Sequence, residues 1–159
     1  MRARTATAEE TEQLGARLAR ARPESDAGLA VLYLEGPLGS GKTTFARGFA
    51  QASGVTALVR SPTYTLLEVY PTPSLTLVHL DLYRLRSPAE IDSLGLRDLT
   101  LPRHTWLIEW PENGVGRLPE PDLTARFAAL ESAHEIELTG SSALGSAWLV
   151  QLTGAQGSP

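Results

Sequence analysis

The chain of 159 residues contains no cysteine. Disulfides and thiolate metal sites are thereby excluded, and the composition suits a reducing compartment. No apolar run approaches the length of a membrane span, and the opening Met1-Arg-Ala-Arg-Thr5 lacks the apolar stretch of a signal peptide. Positive charge is also short. The 14 Lys and Arg face 18 Asp and Glu, a net charge of −4, without the global basic footprint of a nucleic-acid binder. The three histidines show no H-x-x-x-H or comparable spacing, which argues against a histidine metal site. No repeat and no interior linker interrupts the chain. These absences leave the expectation of one soluble, cytoplasmic domain. A composition of 42% apolar and 20% charged residues is ordinary for such a domain, and at this size folding buries about 68–70% of the extended chain's surface.

Against that background, Gly36-Pro-Leu38-Gly39-Ser40-Gly41-Lys42-Thr43-Thr44 fits G-x-x-x-x-G-K-[ST], the phosphate-binding loop of P-loop nucleotidases. Gly36, Gly39 and Gly41 can take backbone angles closed to other residues, so several N–H groups can turn towards one anion. A helix starting near Lys42 adds the positive end of its dipole. Lys42 would reach the β- and γ-phosphates, and Thr43 would place its hydroxyl on Mg²⁺. The context fits: Leu29–Leu34 reads as a buried strand leading in, and Thr43–Gln51 as a helix leading out. The serine of Gly39-Ser-Gly belongs to the phosphate loop and is not a nucleophile elbow.

Around this loop the chain reads as α/β. Thr7-Ala-Glu-Glu10 resembles a capping box opening a helix to about Arg22, with Leu14, Leu18 and Ala21 on its inner stripe. Pro23–Gly28 is a loop. Arg60-Ser-Pro-Thr-Tyr64 reads as a polar loop entering a strand that runs to Tyr70. Pro71–Ser74 is a turn, making an antiparallel pair with Leu75–Asp81. Ser87-Pro-Ala-Glu90 starts a short helix to Leu94, stopped by Gly95. Trp106–Trp110 reads as a strand, Pro111–Pro121 as loop, and Asp122–Leu130 and His134–Thr139 as two further strands. Leu144–Leu152 is ambiguous between strand and helix. The expected fold is a P-loop nucleotidase-like single domain over 1–153. Its central sheet is mixed but largely parallel, flanked by helices, with antiparallel C-terminal strands. Residues 154–159 are expected to form a disordered tail.

A P-loop needs a further acid to hold Mg²⁺ or its water shell and to orient the attacking group. Asp81 and Glu109 both end apolar strands, the end where parallel α/β sheets bind ligands. Either could be the direct metal ligand. Arg60 and Arg84 are candidates for charge near the γ-phosphate, each with a surface ion pair as the alternative.

Taken together, Gly36–Thr44, Ser-Pro-Thr-Tyr at 61–64, His-Leu-Asp-Leu-Tyr-Arg at 79–84 and Glu-Trp-Pro at 109–111 resemble the TsaE (YjeE) family over about residues 7–152. Its members are small bacterial P-loop ATPases needed to make threonylcarbamoyladenosine at position 37 of tRNAs. The resemblance implies that Leu38, Gly39, Ser40, Gly41, Lys42, Thr43 and Thr44 bind ATP, with Trp110 beside the nucleotide and Thr11 near its base. It implies that Asp81 and Glu109 serve the metal and the catalytic water. Ser61, Pro62, Thr63 and Tyr64 would form a switch-like loop sensing the γ-phosphate. TsaB and TsaD would be the partners, and tRNA would be met indirectly through that complex. The departures are Pro37 and Ser40, both at positions spent on backbone, and Ala133-His134 where some members carry an arginine. Two other functions stay open: a small P-loop kinase, and a nucleotide-gated binding module with little turnover. A guanine nucleotide is disfavoured, because no Asn-Lys-x-Asp stretch occurs.

Overall fold

The computed structural model describes residues 1–23 and 28–154. Seven strands form one sheet: β1 (Arg2–Thr5), β2 (Ala30–Glu35), β3 (Leu67–Pro71), β4 (Thr76–Asp81), β5 (His104–Glu109), β6 (Leu123–Ala129) and β7 (His134–Gly140). Their spatial order is β1-β7-β6-β2-β5-β4-β3. The four strands β6, β2, β5 and β4 run parallel, whereas β3/β4, β6/β7 and β1/β7 are antiparallel. The parallel strands are the buried ones, with burial nearly continuous along β4 and β5. Covered on both faces, they need no polar alternation. β2 lies between β5 and β6, so the chain leaves it in one direction and returns on the other side. Such a reversal opens a crevice beyond the carboxyl ends of the strands.

Three helices, α1 (Ala8–Arg20), α2 (Lys42–Ala52) and α3 (Ala143–Gly154), pack on one face. Leu14, Leu18, Phe45, Phe49 and Trp148 join Leu32, Leu34, Leu107 and Leu138 there in a single apolar cluster. At the start of α1 the Thr7 hydroxyl accepts from the Glu10 N–H at 3.1 Å, and the Glu10 carboxylate reaches back to the Ala6 N–H at 2.6 Å. That arrangement satisfies donors the first turn would otherwise leave orphaned. α1 and α2 touch backbone to backbone. A Cβ on Gly15 would sit 2.2 Å from the Phe45 carbonyl oxygen, and one on Gly48 would sit 1.9 Å from that of Glu12.

The opposite face carries no α-helix among the described residues. Val31, Val78, Leu80, Trp106 and Ile108 are covered by short 3₁₀ segments, Pro88–Leu94, Leu96–Leu99 and Pro111–Gly114. The capping box at Ser87 and Glu90 forms as the sequence suggests, but the turn it opens is 3₁₀; Gly95 stops it at Leu94 with φ 68°, and a second 3₁₀ segment, Leu96–Leu99, follows. The ambiguous Leu144–Leu152 is helical. Gly145, Trp148 and Leu152 make its buried face, and the Trp148 indole donates to the Leu18 carbonyl at 2.7 Å.

β1 was not expected, because Arg-Ala-Arg-Thr has no apolar signature. It is an edge strand held by its partner: Arg2 faces Glu137 and Arg4 faces Glu135 across the pair, with ion pairs of 3.0 and 3.6 Å. Gly154, expected to open the tail, is the last residue of α3; residues 155–159 lie outside the described residues, as do residues 24–27 of the Pro23–Gly28 loop. Among the described residues, no helix is long and apolar enough to cross a membrane.

Candidate functional site

The loop between β2 and α2 turns through Gly36, Gly39 and Gly41, with φ of 143°, 76° and 99°. Side chains rarely tolerate such angles. Gly36 is fixed by contact as well, since a Cβ there would lie 2.5 Å from the Phe127 carbonyl oxygen. Gly41 is the N-cap of α2 and supplies no side-chain cap. The first-turn N–H groups therefore face the crevice without a protein side chain to accept from them, which is how a helix start receives an anion.

Lys42 is 4% exposed. Its Nζ donates to the carbonyls of Gly36 (2.7 Å) and Pro37 (2.8 Å) and lies 4.1 Å from the centre of the Trp110 ring. Burial pushes its pKa below the ordinary lysine value, against the pull of Glu109, Glu112 and Asp81 in the other direction. Trp110 presents that ring from a left-handed backbone, φ 59°. The strand expected to reach Trp110 thus ends one residue earlier, at Glu109, and the chain turns sharply into Pro111. The Tyr83 ring packs on Trp110 at 4.9 Å.

The register of β4 and β5 sets Asp81 directly opposite Glu109. Both are buried, 4% and 2% exposed, and both lie at the carboxyl end of the parallel sheet beside α2. The Thr43 hydroxyl donates to the Glu109 carboxylate, 2.9 Å to Oε2 and 3.1 Å to Oε1. Asp81 accepts from the Tyr83 N–H at 3.0 Å and from the Ser61 hydroxyl, which also meets Thr63 at 2.8 Å. The loop at 61–64 is thereby tied to the end of β4. The Arg84 guanidinium lies over the ring of Tyr64, itself 86% exposed.

Most of these residues line one cavity of about 600 Å³. Its lining comes from the P-loop and the start of α2 (Leu38, Gly39, Gly41, Lys42, Thr43 and Thr44), from the strand ends Asp81 and Glu109 with the adjoining Trp110, and from Ser61, Thr63 and Arg84. Ser40, Pro62, Tyr64 and Arg60 are not in its lining. Ser40 is buried and contributes its carbonyl, which accepts from Nδ1 of His134. Pro62 is buried and Tyr64 points outward. Thr11 lies behind the loop: its hydroxyl bonds Thr5 (2.8 Å) and the Thr7 carbonyl (3.1 Å), and its methyl group faces Gly41.

Three contributors escape a reading of the sequence for charges and spacing. Tyr83 lines the cavity. His134 reaches the P-loop from β7. His79 donates to Glu109 from within β4. Strand periodicity carried the signal for His79, since it lies two residues before Asp81 and so shares its face.

Residues 5–138 match the family described as threonylcarbamoyl adenosine biosynthesis protein TsaE. The chain belongs to the TsaE family. It is 44% identical over 115 residues to the tRNA threonylcarbamoyladenosine biosynthesis protein TsaE of Haemophilus influenzae, covering 72% of this chain and 73% of that one. The protein of the same name from Streptomyces coelicolor is 36% identical over 141 residues, covering 86% and 92%. Among solved structures, the crystal structure of Bacillus subtilis YdiB superposes with a TM-score of 0.80 at 30% identity, covering 98% of this chain and 95% of that one. The family match takes in the whole cavity, from the P-loop through Trp110.

Proposed function

We propose that the protein binds ATP with Mg²⁺ in this cavity and hydrolyses it, in the cytoplasm, as a component of tRNA threonylcarbamoyladenosine biosynthesis. TsaB and TsaD are the proposed partners, with tRNA met through their complex. The observation that carries the reading is the contact of Thr43 with Glu109 beside Asp81. A hydroxyl at the start of the P-loop helix and two strand-end carboxylates make an all-oxygen set, which suits a hard divalent cation. The relatives' shared name supports the pathway.

Bound Mg²⁺ would neutralise phosphate charge and help orient the attacking water. Each protein group then has a task its position allows. The N–H groups of the loop and the first turn of α2 receive phosphate oxygens. Lys42 exchanges its two carbonyl partners for phosphate. Thr43 with Asp81 or Glu109 holds the ion, and the remaining carboxylate orients water. Trp110 closes the wall, and Thr11 holds the loop from behind. The Ser61–Asp81 contact gives the loop at 61–64 a way to respond to the phosphate end of the nucleotide.

The test is phosphate release from ATP, with and without purified TsaB and TsaD. Release that rises with the partners supports the coupled ATPase. Nucleotide-dependent docking without release indicates a gated binding module, and ATP consumption that requires a small acceptor indicates a kinase.

A further inference from the structure

His79 sits in the middle of β4, wholly buried, at 0% exposure. Its Nε2 is 2.8 Å from Oε1 of Glu109, whose own exposure is 2%. A carboxylate oxygen only accepts, so the hydrogen belongs to Nε2. Nδ1 on the other side of the ring has no partner among the described residues. A buried polar atom left unpaired is unfavourable, and an apolar residue would fill this strand position more cheaply. Among the described residues, the ring's only polar engagement is with Glu109.

The geometry of that engagement is diagonal. His79 lies opposite Leu107 in the β4/β5 register, and Asp81 lies opposite Glu109. His79 and Asp81 project to the same face, so the imidazole approaches the carboxylate from the strand interior. Thr43 approaches it from α2. Glu109 is therefore gripped from two sides, by one donor that the proposed metal or nucleotide could displace and by one that it could not reach.

We propose that His79 is a positioning residue for Glu109: its Nε2–H fixes the carboxylate's orientation while Thr43 turns to its ligand. Its effect on turnover rests on the ATPase reading. Its effect on the resting structure does not. Partners of this kind, one bond behind a reacting carboxylate, typically change activity about 10–100-fold when removed.

The decisive comparison is His79→Gln against His79→Asn. A glutamine amide can place its N–H near the position of Nε2, whereas the shorter asparagine places it near that of Nδ1. With unfolding temperatures matched, the expected result is that His79→Asn loses at least tenfold in kcat with ATP affinity within about threefold. His79→Gln should recover most of that loss. Equal activity of the two variants, or equal loss in both, would overturn the proposal, because a role in packing alone does not distinguish them by reach.

A second measurement covers the case in which the variants fail to fold or the wild-type protein hydrolyses nothing. Histidine ring ¹⁵N spectra of the nucleotide-free protein should show His79 protonated at Nε2, with that signal shifting in Glu109→Ala. A signal unmoved by Glu109→Ala would remove the proposal whatever the ATPase result.

Discussion

Gly15 of α1 and Gly48 of α2 form a reciprocal contact in which each helix rests on the other's backbone. Gly15 lies against Phe45, and Gly48 against Glu12, at distances no Cβ could occupy. The consequence reaches the site, because α2 carries Lys42 and Thr43 in its first turn. The depth of this crossing helps set where the P-loop sits relative to β5.

A stability prediction with a definite sign follows from that crossing. Helix propensity alone would make Gly48→Ala stabilising by about 1 kcal/mol. The 1.9 Å approach to the Glu12 carbonyl oxygen reverses it, and overpacking of this kind costs about 1–3 kcal/mol. Urea denaturation should show a net loss for Gly48→Ala, and for Gly15→Ala likewise. A gain in either would mean that the helices pack less closely than described.

Lys42 is the only lysine in the chain, so amine acylation reports on one side chain besides the N-terminus. Lys42→Ala should weaken ATP binding by about 10–100-fold, the loss of one or two charge-assisted hydrogen bonds. In the wild-type protein, saturating Mg-ATP should protect Lys42 from acylation, as read by peptide mass spectrometry. Because burial lowers its pKa, the amine should become reactive at lower pH than an ordinary lysine. The linked effect on folding has the same origin. Between the depressed value and the ordinary one the unfolded chain binds more protons at this site, so this group's contribution to stability rises with pH there.

Tyr33 gives the opposite slope. Its hydroxyl donates to the Pro119 carbonyl at 2.7 Å, and burial pushes its pKa up from 10.0 to about 12. Between those values the unfolded chain has already lost the proton that the folded chain keeps, so stability falls as pH rises through the window. Tyr33→Phe should cost about 1 kcal/mol at neutral pH for the lost hydrogen bond, and should lose less stability than wild type from pH about 10 to about 12. Urea midpoints across that range, taken for both proteins, check this. Parallel curves would contradict it.

Much of the site was legible because its chemistry is written in consecutive residues. A glycine-rich loop between an apolar strand and a helix announces itself, and Asp81 and Glu109 were recognisable as acids ending apolar runs. Their pairing across β4 and β5 depends on register, which the sequence does not print. His79 was hidden for the same reason: histidines matter to a sequence reader when they are spaced for a metal, and this one matters through a diagonal neighbour on another strand. β1 was invisible because what holds it is its antiparallel ladder to β7, and a backbone ladder leaves no apolar signature in Arg-Ala-Arg-Thr. α3 resisted assignment because its apolar residues surround the helix and leave no polar face to reveal the period. Thr11 was expected near the nucleotide's base, yet its hydroxyl is engaged by Thr5 and Thr7, and only its methyl group meets the P-loop.

In the proposed function Glu109 serves hydrolysis at a site that Lys42 and the loop N–H groups have already built for phosphate. Single-turnover phosphate release from Mg-ATP, measured for wild type and Glu109→Ala beside their ATP dissociation constants, tests it most directly. Glu109→Ala should lose at least a hundredfold in the rate of release while ATP binds within about fivefold of wild type, the pattern of a group needed in the transition state more than in the ground state. Equal losses in binding and release, or release undiminished by the substitution, would contradict it.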